Sequence, residues 1–222
     1  MVLNYYMNII DTSTNSKTSR LSKTIKNIPL FEIVSIEYEF FDISITDIIF
    51  QSVAAVENFK HFGACNESNV FAMGESTKQT LKDIGINAKT PKTPGSLGLK
   101  ELLGEDLAER KFIIVKGLGG LDEAQNHIIK YGGLVENLIC YKRKEFSKYD
   151  VMRKQFSEAD AVIFSSTYAA RIFFENIYID NSNVSFMCIS ERVKKYVKNL
   201  GHEAKTINYF SKDLVDEVKK AI

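Results

Sequence analysis

The 222-residue chain contains no tryptophan, only three prolines and three histidines, and its charges nearly cancel, 29 Lys and Arg against 28 Asp and Glu for a net +1. The missing basic excess removes the general electrostatic grip that a nucleic-acid-binding protein needs. Any anionic ligand must be met by a local arrangement instead. The scarcity of proline and the lack of a low-complexity tract argue against long disordered segments. No apolar run approaches the ~18 residues that span a bilayer. The start, "MVLNYYMNIIDTSTNSKTSR", lacks the basic opening and apolar stretch of a secretory leader. Three cysteines, Cys65, Cys140 and Cys188, are odd in number and far apart, which suits a reducing compartment and not a disulfide scaffold. A cytoplasmic protein is expected.

What is present is alternation. Short β-branched and aromatic runs at Met7–Ile10, Phe31–Ile36, Asp47–Phe50, Val70–Met73, Phe112–Lys116, Val135–Cys140, Ala161–Phe164 and Ser185–Ile189 read as strands. Between them lie amphipathic stretches such as "VAAVENFKHF", "TKQTLKDIG", "LDEAQNHIIKYG", "TYAARIFFENI" and "RVKKYVKNLG". Near-continuous apolar strands joined by helices predict an α/β protein with mostly parallel sheets, covered on both faces.

The chain also repeats itself. "NVFAMGESTKQTLKDIGINAKT" (69–90) is echoed by "VSFMCISERVKKYVKNLGHEAKT" (184–206), with an offset of 116 positions between Gly85 and Gly201 and between Thr90 and Thr206. "DIIFQSVAAVENF" is echoed by "AVIFSSTYAARIFF", with Ser52 and Ser166 offset by 114. The remaining parts pair as well: "MNIIDTSTNSKTSRLSKTIKNIPLFEIVSIEY" matches "KFIIVKGLGGLDEAQNHIIKYGGLVENLICY" as strand, polar turn, helix, strand and a tyrosine, Tyr38 or Tyr141. Repeats this long and this few indicate two similar domains, not a solenoid. From the repeat alone, either neighbouring units pair or the chain crosses over and its middle units pair.

In order and spacing, "IIFQSVAAVENF", "FAMGEST", "FIIVKGLGG…YGGLVENLICY", "VIFSST" and the closing "KNLGHEAKTINYFSKDLVDEVKKAI" resemble the uroporphyrinogen-III synthase family across nearly the whole chain. The resemblance implies two flavodoxin-like parallel-sheet α/β domains joined by a two-stranded linker, with a cleft between them. Residues 1–37 plus 144–222 would form the first, discontinuous domain and 38–143 the inserted second. It implies a lyase that closes hydroxymethylbilane, a linear tetrapyrrole polyanion, into a macrocycle with inversion of the last ring and loss of water. It implies no metal and no organic cofactor. No nucleic-acid or membrane partner is expected; a monomer is, with transient contact to the preceding pathway enzyme.

Each implied site residue also has a structural reading. Ser52 and Ser166 stand at N-cap positions, where a hydroxyl is worth ~1 kcal/mol as a cap, and Gln51 and Ser165 precede them at strand ends. The resemblance makes all four substrate contacts, at the strand ends where α/β ligands bind. The "KGLGG" turn lacks a dinucleotide or phosphate-loop signature; by resemblance Lys116, Gly117 and Gly119 bind substrate carboxylates. Gly74, Ser76 and Thr77 match a family turn in which the threonine is catalytic, and Tyr141, otherwise a half-buried strand tyrosine, is the candidate proton donor. His61 and Cys65, four apart, lack the second ligand pair of a metal site. His127 and His202 have no partner pattern, and Lys194, Lys195 and Lys198 read as a solvated helix face.

Five positions depart from the family. Leu121 stands where an arginine is frequent, Asp11 where a basic residue is, and Ser190, Arg192 and Val193 replace a glycine and paired threonines. Arg192 is expected to restore a cation there. Two rivals are a non-catalytic two-lobed small-molecule-binding protein, a class usually exported, and a nucleotide-dependent enzyme, which would need the missing phosphate loop.

Overall fold

A computed structural model describes residues 7–14, 24–40, 44–93, 95–180 and 183–222. It forms two compact units, Met1–Glu32 with Lys144–Ile222, and Ile33–Arg143. The helix expected in the first copy of the strand–turn–helix pattern falls on 15–23, outside the described residues.

In the second unit β3 (Phe31–Ser35), β4 (Asp47–Phe50), β5 (Asn69–Ala72), β6 (Lys111–Gly117) and β7 (Leu134–Glu145) form one sheet in the order β3-β7-β6-β4-β5. The β4–β5, β4–β6 and β6–β7 pairs are parallel. Alternation along the strands sends successive side chains to opposite faces. Ile48, Phe50, Ile113, Val115, Val70 and Ala72 pack under Ala55, Val56 and Leu81, from α1 (Val53–Asn58) and α2 (Glu75–Asp83). On the other face Ile49, Phe71, Phe112 and Ile114 meet Leu99, Leu103 and Ile128, from α3 (Ser96–Leu103) and α4 (Glu123–Lys130). The interiors of β4, β5 and β6 are apolar because both faces are covered.

The first unit follows the same plan. β1 (Ile9–Asp11), β2 (Ile25–Asn27), β8 (Ala161–Phe164), β9 (Ser185–Cys188) and β10 (Ala204–Thr206) are ordered β10-β9-β8-β1-β2, all pairs parallel. One face carries Ile9, Ala161, Ile163 and Met187 against Leu214 and Val218 of α8 (Leu214–Ala221). Phe164 and Phe186, from the intervening strand positions, meet Phe173 of α6 (Thr167–Asn176) edge to face, and Phe173 also meets Phe156 of α5 (Asp150–Ser157).

Two expectations change. The strand that partners β1, as β7 partners β6, is Ile25–Asn27 and not Phe31–Ile36. The latter forms β3, which borders β7, and Ile36 N–H donates to the Cys140 carbonyl at 2.9 Å. Residues 33–37 therefore group with the second unit. The short α3, α5, β2 and β10 lacked a clear period of their own in the sequence.

The repeat itself is geometric. Lys89 bridges Phe71 in parallel, and at the same offset of 116 Lys205 pairs with Met187. In both copies the helix before that segment ends at a glycine of positive φ, 85° at Gly85 and 89° at Gly201, where a side chain would be strained. The echoed Ala-Lys-Thr is an edge rung added to the preceding strand.

Asp47, fully buried at the amino end of β4, is held by Arg110 through two bonds of 2.6 and 3.0 Å and by the Thr46 hydroxyl at 2.6 Å. Arg110→Met should cost about 3–5 kcal/mol in equilibrium unfolding, because the carboxylate is left buried without its cation. Adding Asp47→Asn should recover part of that loss. Burial pushes the Cys65 and Cys140 thiols up from 9.0 to about 11 and Cys188 to about 12. Folding thus favours the protonated thiols, a contribution complete below pH 9 and lost as pH rises through 11 to 12. At mildly alkaline pH an aromatic disulfide reagent should titrate all three thiols only after denaturation; rapid reaction of the native protein would contradict this burial.

Candidate active site

In a parallel sheet the interior of each strand is committed to packing, so polar side chains collect at its ends. Ser52 follows β4 with extended backbone and caps α1, its Oγ accepting from Ala55 N–H at 3.1 Å. Ser166 does the same for α6, accepting from Ala169 N–H at 3.1 Å. The two serines are true caps in matched places, but among the described residues only Ser52 has a further side-chain partner. The Tyr141 hydroxyl lies 2.9 Å from Ser52 Oγ.

Tyr141 stands late in β7 with only 4% of its surface exposed, in the core cluster that also holds Phe50, Ala55 and Cys140. It reaches Ser52 across the end of β6, where the register slips between Lys116 and Gly117 and Gly117 pairs with Tyr141. A Cβ on Gly117 would sit 2.4 Å from Tyr141 Cζ and 2.9 Å from its hydroxyl. The glycine is thus required for close approach, whatever its N–H does. Leu118 N–H closes the crossing by donating to the Tyr141 carbonyl at 2.8 Å.

The neighbouring loop is self-satisfied. Lys116, 3% exposed, donates to Asp122 Oδ1 at 2.5 Å and to the Leu121 carbonyl at 3.1 Å, and Gln51 Nε2 donates to that same carbonyl at 2.9 Å. Asp122, six residues beyond the lysine and just before α4, is the partner that sequence reasoning missed. Its position ahead of a helix with an acidic first turn was a signal of loop chemistry. Gly119 takes the left-handed φ of 70°, and Gly120 N–H donates to the Gly117 carbonyl at 2.9 Å.

Gly74 heads α2 with extended backbone and offers no capping side chain, so the first-turn N–H groups of that helix stay uncapped. Ser76 follows it, its carbonyl taken by Thr80 Oγ1. Thr77 is buried, and its hydroxyl makes no hydrogen bond with the described residues. The second copy differs: Ser190 Oγ accepts from Val193 N–H at 3.4 Å, capping α7 (Glu191–Asn199). Glu191 there accepts from Thr206 Oγ1, which holds its carboxyl below the usual range, and Arg192 is exposed beside it.

In the first unit Ser165 N–H approaches Thr12 Oγ1 at 3.5 Å. Asp11, fully buried at the end of β1, accepts from Ser13 N–H and Oγ at 2.9 and 2.8 Å and from the Tyr209 hydroxyl at 2.7 Å. Burial raises its pKa, partly opposed by those donors. A basic residue at that position would have projected charge; Asp11 instead ties β1 to the segment after β10. His61 stacks on Phe40 at 4.6 Å, Cys65 is buried, and no metal-binding cluster occurs among the described residues. No helix among them is long and apolar enough to cross a membrane.

The structure therefore brings Ser52, Gly117 and Tyr141 into contact, and Gln51 with Lys116 on one carbonyl. Gly74, Ser76 and Thr77 stand at the end of the adjoining β5, with no hydrogen bond to that group. Ser165, Ser166 and Arg192 belong to the other unit.

A family model described as uroporphyrinogen-III synthase HemD matches residues 14–210. Among solved structures, the uroporphyrinogen-III synthetase of Helicobacter pylori is 15% identical with a TM-score of 0.70, over 97% of this chain and 98% of that one. A mutant uroporphyrinogen III synthase from the extremely thermophilic bacterium Thermus thermophilus is 12% identical with a TM-score of 0.63, over the same shares. At such identities these structures support the fold. The curated proteins include no match. Gly117→Ala should destabilise the protein by about 1–3 kcal/mol through overpacking against the tyrosine ring. In a Tyr141→Ala background the same change should cost much less, and equal costs in calorimetry would rule out the contact as its cause.

Proposed function

The chain belongs to the uroporphyrinogen-III synthase family, and we propose that Tyr141, backed by Ser52, is the acid of its reaction. The enzyme is a lyase of tetrapyrrole biosynthesis acting on hydroxymethylbilane. The observation that supports the assignment is the 2.9 Å Ser52–Tyr141 hydroxyl pair seated over a glycine that cannot be enlarged.

The chemistry requires the hydroxymethyl C–O bond to break. Electron density from the pyrrole nitrogen pushes the hydroxyl out, and a proton delivered to that oxygen lets it leave as water. The product is an electrophilic azafulvene, which the last ring attacks through its substituted position to give a spiro intermediate that fragments and recloses. A phenol is a suitable donor because it carries one transferable proton. Ser52 Oγ already accepts from Ala55 N–H, so its own proton is available to the Tyr141 oxygen. That donation would stabilise the phenolate left after proton transfer. General acid catalysis of this kind contributes roughly 10²-fold; holding the flexible chain in one folded geometry supplies more.

The acetate and propionate groups need donors, not net charge. The uncapped first turn of α2, with Gly74, Ser76 and the unengaged Thr77 hydroxyl, offers them. Gly117 and Gly119 offer loop backbone. For the first unit the reading assigns carboxylate contacts to Ser165, Ser166 and Arg192. It also makes the protein a cytoplasmic monomer that takes its substrate from the preceding pathway enzyme, since one bilane per chain calls for no second copy.

Freshly generated hydroxymethylbilane given to the purified protein should yield the type III isomer after oxidation and separation. Type I alone, the uncatalysed outcome, would defeat the functional reading. Tyr141→Phe should lower kcat by about 10²-fold while leaving the melting temperature close to that of the parent. Unchanged turnover would remove the phenol from the chemistry.

A further inference from the structure

Two polar side chains at strand ends, Gln51 and Lys116, converge on the Leu121 carbonyl at 2.9 and 3.1 Å. Gly120 permits this convergence: a Cβ there would lie 2.9 Å from Lys116 Cε and 3.0 Å from Gln51 Oε1. The lysine is buried and its charge is answered by Asp122. Both side chains therefore hold the loop. What the loop displays is apolar, with Leu118 and Leu121 at 55% and 46% exposed on either side of Gly119 and Gly120. Leu118 is fixed to the reacting strand, since its N–H donates to the Tyr141 carbonyl.

A linear tetrapyrrole has flat rings with apolar faces and carboxylates only at the rim. A hydrogen-bonded loop that exposes two leucines and is tied by Leu118 N–H to the strand of the phenol matches a ring face better than it matches a carboxylate. We infer that Gln51 and Lys116 are positioning residues for this loop, and that Leu118 and Leu121 pack against a pyrrole ring of the substrate next to Tyr141. The inference rests on the placement of the reaction at Tyr141. It assigns the substitution of leucine for arginine at 121 a role: an apolar contact replaces a charged one.

The test uses the full chain with Leu118→Ser/Leu121→Ser, Leu118→Met/Leu121→Met and Lys116→Met. The serine pair should raise KM about tenfold, with a much smaller change in kcat and an unaltered circular dichroism spectrum, and the methionine pair should behave like the parent. Lys116→Met should raise KM without changing its dependence on salt, and adding it to the serine pair should cost little more. Uroporphyrin III binding, followed by the porphyrin absorbance, should weaken in parallel, a readout independent of turnover. Parent-like KM and porphyrin binding in the serine pair would overturn the inference. So would a loss of the salt dependence of KM in Lys116→Met, the mark of a direct carboxylate ligand. If the parent makes only the type I isomer the functional reading fails, while the porphyrin arm still decides whether the leucines bind a tetrapyrrole.

Discussion

Burial of each central strand on both faces is the constraint from which the site follows. Ile48, Ile49, Phe50, Ile113 and Ile114 leave no room for chemistry along β4 and β6. Polar groups are confined to the ends, and the two ends are used differently. At the amino end of β4, Asp47 is locked with Arg110. At the carboxyl ends stand Ser52, Lys116, Gly117 and Tyr141, held by a few hydrogen bonds and close packing. The proposed catalytic groups stand where the sheet stops needing hydrophobic side chains.

Placement matters more than charge in this arrangement. A chain of net charge +1 serves a polyanionic substrate, and one of the few cations at the candidate site is spent on its own loop. In the proposed site, backbone donors and apolar contacts take the place of the basic patch that would carry recognition elsewhere. Ser52 combines two functions in one hydroxyl: it caps a helix and touches the proposed acid. Among the described residues the equivalent Ser166 caps only, so the two copies share a scaffold while the phenol singles out one of them.

Much of this was legible in the sequence. The eight strands that it marked all occur within a residue or two at most ends, except that β7 runs on to Glu145, because apolar runs buried on both faces have few alternatives. The offset of 116 was visible as letters and proved to be a register of strand pairing. The mispairing of Phe31–Ile36 with the strand equivalent to β7 arose because both are alternating runs ending near a tyrosine. The true equivalent, Ile25–Asn27, is three residues long and too short to carry a period. Residue types at the candidate site could be read from the sequence, but the directions of their side chains could not. Nothing in "KGLGGLD" says that the lysine turns inward to Asp122, since that depends on the absence of a Cβ at Gly120 and on a glutamine 65 positions earlier.

The place of β1 in its sheet also has a consequence for how the protein is made. β1 lies between β2 and β8, so one of its two neighbours is more than 150 residues downstream. As the chain leaves the ribosome, the first pair of strands must wait with one edge open. The unit spanning Ile33–Arg143 contains all of its own strand partners except the start of β3 and the end of β7, and can close first. Synthesis from the amino terminus thus completes the middle of this protein before its beginning.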